Sequence, residues 1–342
     1  MNAQLPRARP LGPAAAPSIR WGAVGTGGIV TAFTRALHKH TPQRVVAVAA
    51  RDRDRTAAFA AQWEIDRVHP SVEAIVADSG IDAVYIGTPH TSHAAIALRA
   101  ISAGKHVLIE KPLAMTAAEG AEVAAAARAA GVLAMEAMWT RYLPQTDVIR
   151  QLLETEALGD IHFVSADFGY RVPFDAEHRL FNRALGGGAL LDMGVYPISF
   201  ASMVLGTPSH ITASGALTST GVDGRAALQL ASPGGATAQV STSIVSTLPT
   251  RATIIGSEGR VEVASPFFAP SGLTLTLGEG ATETRDEWRD DAFENSHDGM
   301  SYQATAFAAY VAEGRTESPL HTLDETVAVL ATIDEARRQI GA

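Results

Sequence analysis

The sequence contains no cysteine. That excludes disulfides, thiolate zinc sites and a cysteine nucleophile together, so redox chemistry here requires a bound cofactor. An excess of positive charge is also missing. Over 342 residues the formal net charge is −9, which gives no general basic field for nucleic acid. Residues 1–18 lack the apolar core of a signal peptide, and Pro6, Pro10, Pro13 and Pro17 discourage helix and strand there. The expectation is a loose arm on a cytoplasmic protein, with neither nucleic acid nor membrane as partner. Apolar content and length are plentiful by contrast. With 46% hydrophobic residues in a chain too long for one compact core, two soluble domains are predicted.

The apolar run Val107-Leu108-Ile109 reads as a buried strand and ends in Glu110-Lys111-Pro112. Pro112 restricts Lys111 to extended backbone angles and makes a cis bond possible, so the chain itself sets the place of the amine. Glu110 could hold that ammonium or tune its pKa. A plain strand end with a solvated ion pair is the alternative.

Residues 19–24 form a strand running into Gly25-Thr26-Gly27-Gly28-Ile29-Val30, and 31–38 continue as helix. The glycines permit a tight turn and close backbone approach to a pyrophosphate, while the helix amino terminus offers unpaired N–H groups. Val30 stands where Gly or Ala is usual, which predicts slightly wider packing of helix on strand. The next strand, 44–49, ends in Ala50-Arg51-Asp52-Arg53-Asp54-Arg55. A carboxylate here would bind the ribose hydroxyl of NAD. Arg51, with Arg55 one turn on, instead fits the 2′-phosphate of NADP, while Asp52 keeps NAD open.

Helices near 71–77, 92–103 and 117–130 alternate with strands at 83–87, 107–112 and 132–135, the spacing of a doubly wound parallel sheet. The loop Gly87-Thr88-Pro89-His90-Thr91-Ser92-His93 leaves the carboxyl end of a strand, where such sheets bind ligands. His90 and His93 have loose metal-ligand spacing. With no cysteine or acidic cluster nearby, lining the nicotinamide pocket is the preferred reading and no metal is expected.

Taken together, Gly25-Thr26-Gly27-Gly28-Ile29, Ala50-Arg51-Asp52, Gly87-Thr88-Pro89-His90 with His93, and Glu110-Lys111-Pro112 resemble the Gfo/Idh/MocA oxidoreductase family. The stretch Met135-Glu136-Ala137-Met138-Trp139-Thr140-Arg141-Tyr142 resembles its members that act with NADP on cyclic dihydrodiols or D-xylose. The likeness runs from about residue 20 to the carboxyl terminus; Val30 and the arm depart from it. It implies a Rossmann-type domain over 19–140, a substrate-binding and dimerising α/β domain over 141–320, and a carboxyl-terminal helix over 321–342 bracing the first domain.

Beyond Gly186-Gly187-Gly188, residues 189–197 read as a mostly apolar helix interrupted near Gly194 and Pro197. Asp192 and Tyr196 are four apart, so both side chains share one face. A polar pair on an apolar helix needs partners, either each other or a substrate hydroxyl. The resemblance places Lys111, Asp192 and Tyr196 together as the catalytic set. An unperturbed tyrosine, with a pKa near ~10, is a poor base at neutral pH, and a lysine ammonium beside it would lower that value. Tyr196 is then the proton acceptor, Lys111 tunes it and Asp192 fixes the substrate; Lys111 as the base itself is the variant. Trp139 offers a flat face to a sugar ring or arene diol and Arg141 offers charged donors, with Tyr170, Arg179 and Asn182 as further pocket candidates.

From 211 to 277 the alternation changes to that of a large, mostly antiparallel sheet with no helical run to cover its outer face. A homodimer through that open face is the expectation, which the resemblance also implies, and dimers of such dimers are the next larger assembly. The function expected is hydride transfer between NADP, or NAD, and a hydroxyl of a sugar or cyclic trans-diol. Two other classes remain: a cofactor-binding sensor without catalysis, and a glycosidase that recycles its nicotinamide internally.

Overall fold

A computed structural model describes residues 3–342 and divides into two compact units. The first takes in Leu11–Tyr142 and Glu294–Val327; the second takes in the described residues up to Pro10, then Leu143–Phe293 and Ala328–Ala342.

In the first unit strand and helix alternate: β1 (Arg20–Val24), α1 (Gly28–His40), β2 (Arg44–Ala49), α2 (Arg53–Gln62), β3 (Arg67–His69), α3 (Val72–Val76), β4 (Ala83–Ile86), α4 (His93–Ser102), β5 (His106–Ile109), α5 (Ala117–Ala130) and β6 (Ala134–Glu136). Asp52, Ser71 and Thr116 start α2, α3 and α5 by accepting from a first-turn backbone N–H. The six strands are ordered β3-β2-β1-β4-β5-β6, every pair parallel. β4 is buried throughout, as expected of a strand covered on both faces. This order puts β1 beside β4, where the winding reverses direction and ligands gather in doubly wound sheets.

The second unit holds α6 (Pro144–Glu154), β7 (Ile161–Gly169), a π-helical turn (Leu190–Gly194), α7 (Val195–Leu205), β8 (His210–Leu217), β9 (Asp223–Ala231), β10 (Thr237–Ser243), β11 (Ala252–Gly256), β12 (Gly259–Val263), β13 (Gly272–Leu277) and β14 (Thr284–Arg289). Its eight strands run β14-β13-β12-β11-β7-β10-β9-β8. The β7–β10 pair alone is parallel among them. Burial alternates along β9, so one face packs on the core and the other is open. On the open face Phe163 and Ile255 sit opposite each other, 56% and 39% exposed. The helical stretch Arg183–Leu205 is apolar enough for a membrane span by composition, but its apolar window is 83% buried inside the structure, as in a core helix.

The last helices are α8 (Met300–Ala312), in the first unit, and α9 (Leu323–Ile340), which passes from the first unit into the second after Val327. Near its end, Gln339 bonds Ala213 N and Ile211 O of β8. That part of the 321–342 helix, expected to brace the first domain, is therefore tied to the large sheet.

The arm that its prolines suggest is loose is also tied down. Ala3 N donates to Thr284 Oγ1 and Leu5 N to Asp286 Oδ2, each at 2.8 Å, and Arg9 binds Asp147 through backbone and guanidinium. Proline removes its own donor but leaves these neighbours to bond elsewhere. The interruption expected near Gly194 and Pro197 is a change of pitch and not a break: a π-helical turn runs directly into α7, with Pro197 in the first turn of α7. A widened turn accommodates a residue that cannot bond back. β7 and β14 lie outside the alternation read from 211–277.

Candidate active site

Gly25 closes β1 with φ of +111°, a conformation that favours glycine, and a Cβ there would come within 2.6 Å of Gly87 O. Gly27 caps α1 without any side-chain hydrogen bond, and no acidic residue stands in the first turn. Added Cβ atoms at Gly27 and Gly28 would meet nothing within 4 Å. Thr26, Gly27, Gly28 and Ile29 thus surround an open space before bare helix N–H groups, a cradle that fits a pyrophosphate. Val30 is accommodated by a glycine on the neighbouring strand end: a Cβ at Gly87 would lie 2.5 Å from Val30 Cγ2, and Val30 itself is fully buried.

At the end of β2, Asp52 Oδ1 accepts from Arg55 N at 3.0 Å, so one carboxylate oxygen is committed to starting α2. Arg51, Arg53 and Arg55 are all exposed around it. This end of the unit presents guanidinium groups, as the 2′-phosphate reading requires.

β5 delivers Lys111 with a cis bond to Pro112. Lys111 is half-buried and Glu110 is 5% exposed. The Tyr85 hydroxyl donates to Glu110 Oε1 at 2.6 Å, and Lys111 N approaches Oε2 at 3.2 Å. Burial pushes the Glu110 carboxyl up to about 7, against the pull of Tyr85 and of the Lys111 charge. Glu136 carries the other side of the turn, accepting from Leu113 N and pairing at 2.9 Å with the fully buried His321. Tyr85 and His321 have no sequence motif that announces them, whereas Glu136 lies in the Met135–Tyr142 stretch; Tyr85 and Glu136 sit at strand positions beside β5.

In the loop after β4, Pro89 starts a 3-10 turn and Ser92 Oγ donates to Thr88 Oγ1 at 2.8 Å. His90 is 9% exposed with its ring 5.7 Å from that of His93. His93 is fully buried, and its two ring nitrogens lie 2.8 Å from Thr88 O and Pro112 O. Its ring bridges two backbone segments, and burial lowers its pKa.

Trp139 and Arg141 take part in packing within the first unit. Trp139 stacks on His297 with centroids 5.8 Å apart and planes 9° apart. Arg141, 2% exposed, directs its guanidinium to Glu325 and Leu320 O at 3.4 and 3.5 Å. A guanidinium this desolvated requires such partners.

In the second unit, Asp192 lies in the π-helical turn and Tyr196 in the first turn of α7, 5% and 7% exposed. The Tyr196 ring packs against Phe168 and Phe268 at 5.7 and 5.0 Å. Arg179 grips both Asp192 oxygens, at 2.9 and 3.4 Å, from a chain segment whose side chains are largely exposed. Gly187 lets that segment close: its Cβ would come within 2.9 Å of three carbonyl oxygens, those of Leu180, Arg179 and Asn182. Tyr170 is 60% exposed, and Asn182 uses its side chain to accept from Ala184 N. The predicted residues thus fall into two groups. Gly25 to Ile29, the Thr88 to His93 loop and Lys111 stand in the first unit; Asp192, Tyr196 and Arg179 stand in the second.

Residues 19–138 match the Gfo/Idh/MocA oxidoreductase family, NAD-binding Rossmann fold, and residues 147–262 match the Gfo/Idh/MocA C-terminal domain. Proteins named trans-1,2-dihydrobenzene-1,2-diol dehydrogenase are similar over nearly the whole length. That of Xenopus tropicalis is 36% identical, covering 94% of this chain and 98% of its own, and that of Homo sapiens is 35% identical, covering 95% and 97%. Among solved structures, a 3-ketoreductase from Actinomadura kijaniata in complex with NADP and TDP-benzene has a TM-score of 0.81 at 27% identity, covering 95% of this chain and 98% of that one. A levoglucosan dehydrogenase in complex with NADH and levoglucosan shares the fold at a TM-score of 0.85 and 19% identity, with the same coverage.

Proposed function

The chain belongs to the Gfo/Idh/MocA family of NAD(P)-dependent oxidoreductases, and from that premise we propose that it is an NADP-dependent dehydrogenase of cyclic trans-diols or of sugars, D-xylose among them. The likeness to trans-dihydrodiol dehydrogenases over nearly the full length carries this reading. The exposed Arg51 and Arg55, beside an Asp52 engaged in capping, favour NADP over NAD.

A bound nicotinamide would supply the acceptor for hydride from the carbinol carbon. The chain's own residues do the rest. The turn from Gly25 to Ile29 would hold the pyrophosphate through backbone amides, and Thr88, Pro89 and His90 would contribute to holding the cofactor. Tyr196 takes the hydroxyl proton as the carbonyl forms, and returns it in the reverse direction. Lys111 contributes the positive charge that favours the phenolate. Asp192, with both oxygens oriented by Arg179, accepts from a neighbouring substrate hydroxyl. A lysine-to-alanine and a tyrosine-to-phenylalanine variant of the similar 3-ketoreductase have been solved with its ligands, which lends support to a lysine and tyrosine pair here.

Absorbance of reduced nicotinamide, with NADP and NAD in turn over D-xylose, D-glucose, inositol and a trans-dihydrodiol, tests the proposal. Reduction of NADP with the diol or xylose, faster than that of NAD, is expected; binding of NADP without reduction by any of these contradicts it. The open sheet face, with Phe163 and Ile255 exposed, supports a homodimer. Sedimentation as a monomer at micromolar concentration would refute that part.

A further inference from the structure

The π-helical turn that carries Asp192 and runs directly into the first turn of α7 with Tyr196 starts without help from its own sequence. Ala189 precedes it with no side-chain cap, leaving first-turn amides that the helix cannot satisfy. The acceptor arrives from 33 residues downstream: Leu190 N donates to Asp223 Oδ2 at 2.6 Å. Asp223 is the first residue of β9 and is 1% exposed. Its neighbour Gly224 is fixed in turn, its carbonyl accepting from Ile244 N at 2.9 Å. Gly188, with φ of +123°, clears the approach, because a Cβ there would overlap Asp223 Oδ1. A buried carboxylate, a glycine shaped around it and the Leu190 amide therefore form one joint between sheet and helix. A negative charge at a helix amino terminus is favourable as well.

We infer that Asp223 is a positioning residue for the reaction: by holding the Leu190 amide at the start of this turn, it sets where Asp192 and Tyr196 stand. Burial pushes its carboxyl up to about 6, against the pull of the Leu190 amide and the Arg337 charge. Asp192 lies two residues beyond the anchored amide and Tyr196 about one turn further, close enough for a shift of the start to reach both.

Asp223→Asn keeps the shape and replaces one acceptor oxygen with a donor; Asp223→Ser keeps a single acceptor and is the second variant. Amide hydrogen exchange over 189–196 is expected to speed up at least tenfold in both, while β9 and β10 retain protection. Turnover is expected to fall roughly tenfold to a hundredfold, the scale of an ångström-sized misplacement, with NADP affinity within about twofold of wild type because the cradle lies in the other unit. A purely structural role would not separate turnover from cofactor affinity in this way. Unchanged exchange over 189–196 overturns the inference, and so does faster exchange with turnover intact. The inference rests on Asp192 and Tyr196 being the reacting groups. If Tyr196→Phe turned over like wild type, that reading would fail, whereas exchange in the Asp223 variants would still decide whether the carboxylate holds the turn.

Discussion

The two units present their working groups by different means. In the first, the groups proposed to face the ligands are backbone amides at strand and helix ends, the Arg51 and Arg55 guanidinium groups, and Lys111, which is fixed by strand order and a proline. In the second they are side chains on a helix, aligned by a carboxylate from a distant strand and gripped by Arg179. Each unit contains a buried acid whose pKa is raised by burial, Glu110 to about 7 and Asp223 to about 6. Backbone presentation depends on glycine at a few points; side-chain presentation depends on partners far away in sequence.

A pair of glycine substitutions sharpens this contrast most. Gly188→Ala forces a methyl onto Asp223 at positive φ, and turnover is expected to drop roughly a hundredfold with NADP affinity unchanged. Gly25→Ala meets Gly87 O and a φ of +111°, a strain of about 1–2 kcal/mol before the clash. NADP affinity is expected to fall at least tenfold, with turnover at saturating NADP largely kept. Calorimetry beside steady-state rates checks both, and the opposite assignment of the two losses would break the comparison.

A smaller effect separates the buried acids. Because the folded pKa of Glu110 is raised above its ordinary value of 4.5, the stability it contributes is present below that pH and lost as pH rises toward about 7. Glu110→Gln, which keeps an acceptor for Tyr85, should therefore gain on wild type by roughly 2–3 kcal/mol between pH 4 and pH 8, given ~1.4 kcal/mol per unit. Urea midpoints at the two pH values read this directly; parallel profiles would show that Glu110 does not titrate there.

Legibility in the sequence follows the same division. Alternating apolar strands, the glycine turn and the Glu110-Lys111-Pro112 end are local patterns, and the first unit's sheet and cradle could be read from them. The accommodation of Val30 could not, since Gly87 sits on another strand. Trp139 and Arg141 look like pocket residues in isolation, and their packing is decided by His297, Leu320 and Glu325, which return from the far end of the chain. β14 escaped because its sequence, Thr284 to Arg289, is mostly charged, the composition of a protected edge strand as much as of a loop. Asp223 lay in an ordinary turn sequence, and only its distance in space from Leu190 gives it a role.

The most direct measurement is NADP reduction by Lys111→Ala and Tyr196→Phe beside wild type, with a trans-dihydrodiol or D-xylose as donor and NADP binding measured on the same samples. Both variants should bind NADP within a few-fold of wild type and lose turnover by about a hundredfold to ten-thousandfold, the range for a removed proton-transfer group. Turnover close to wild type in either one, with cofactor bound, would contradict the account.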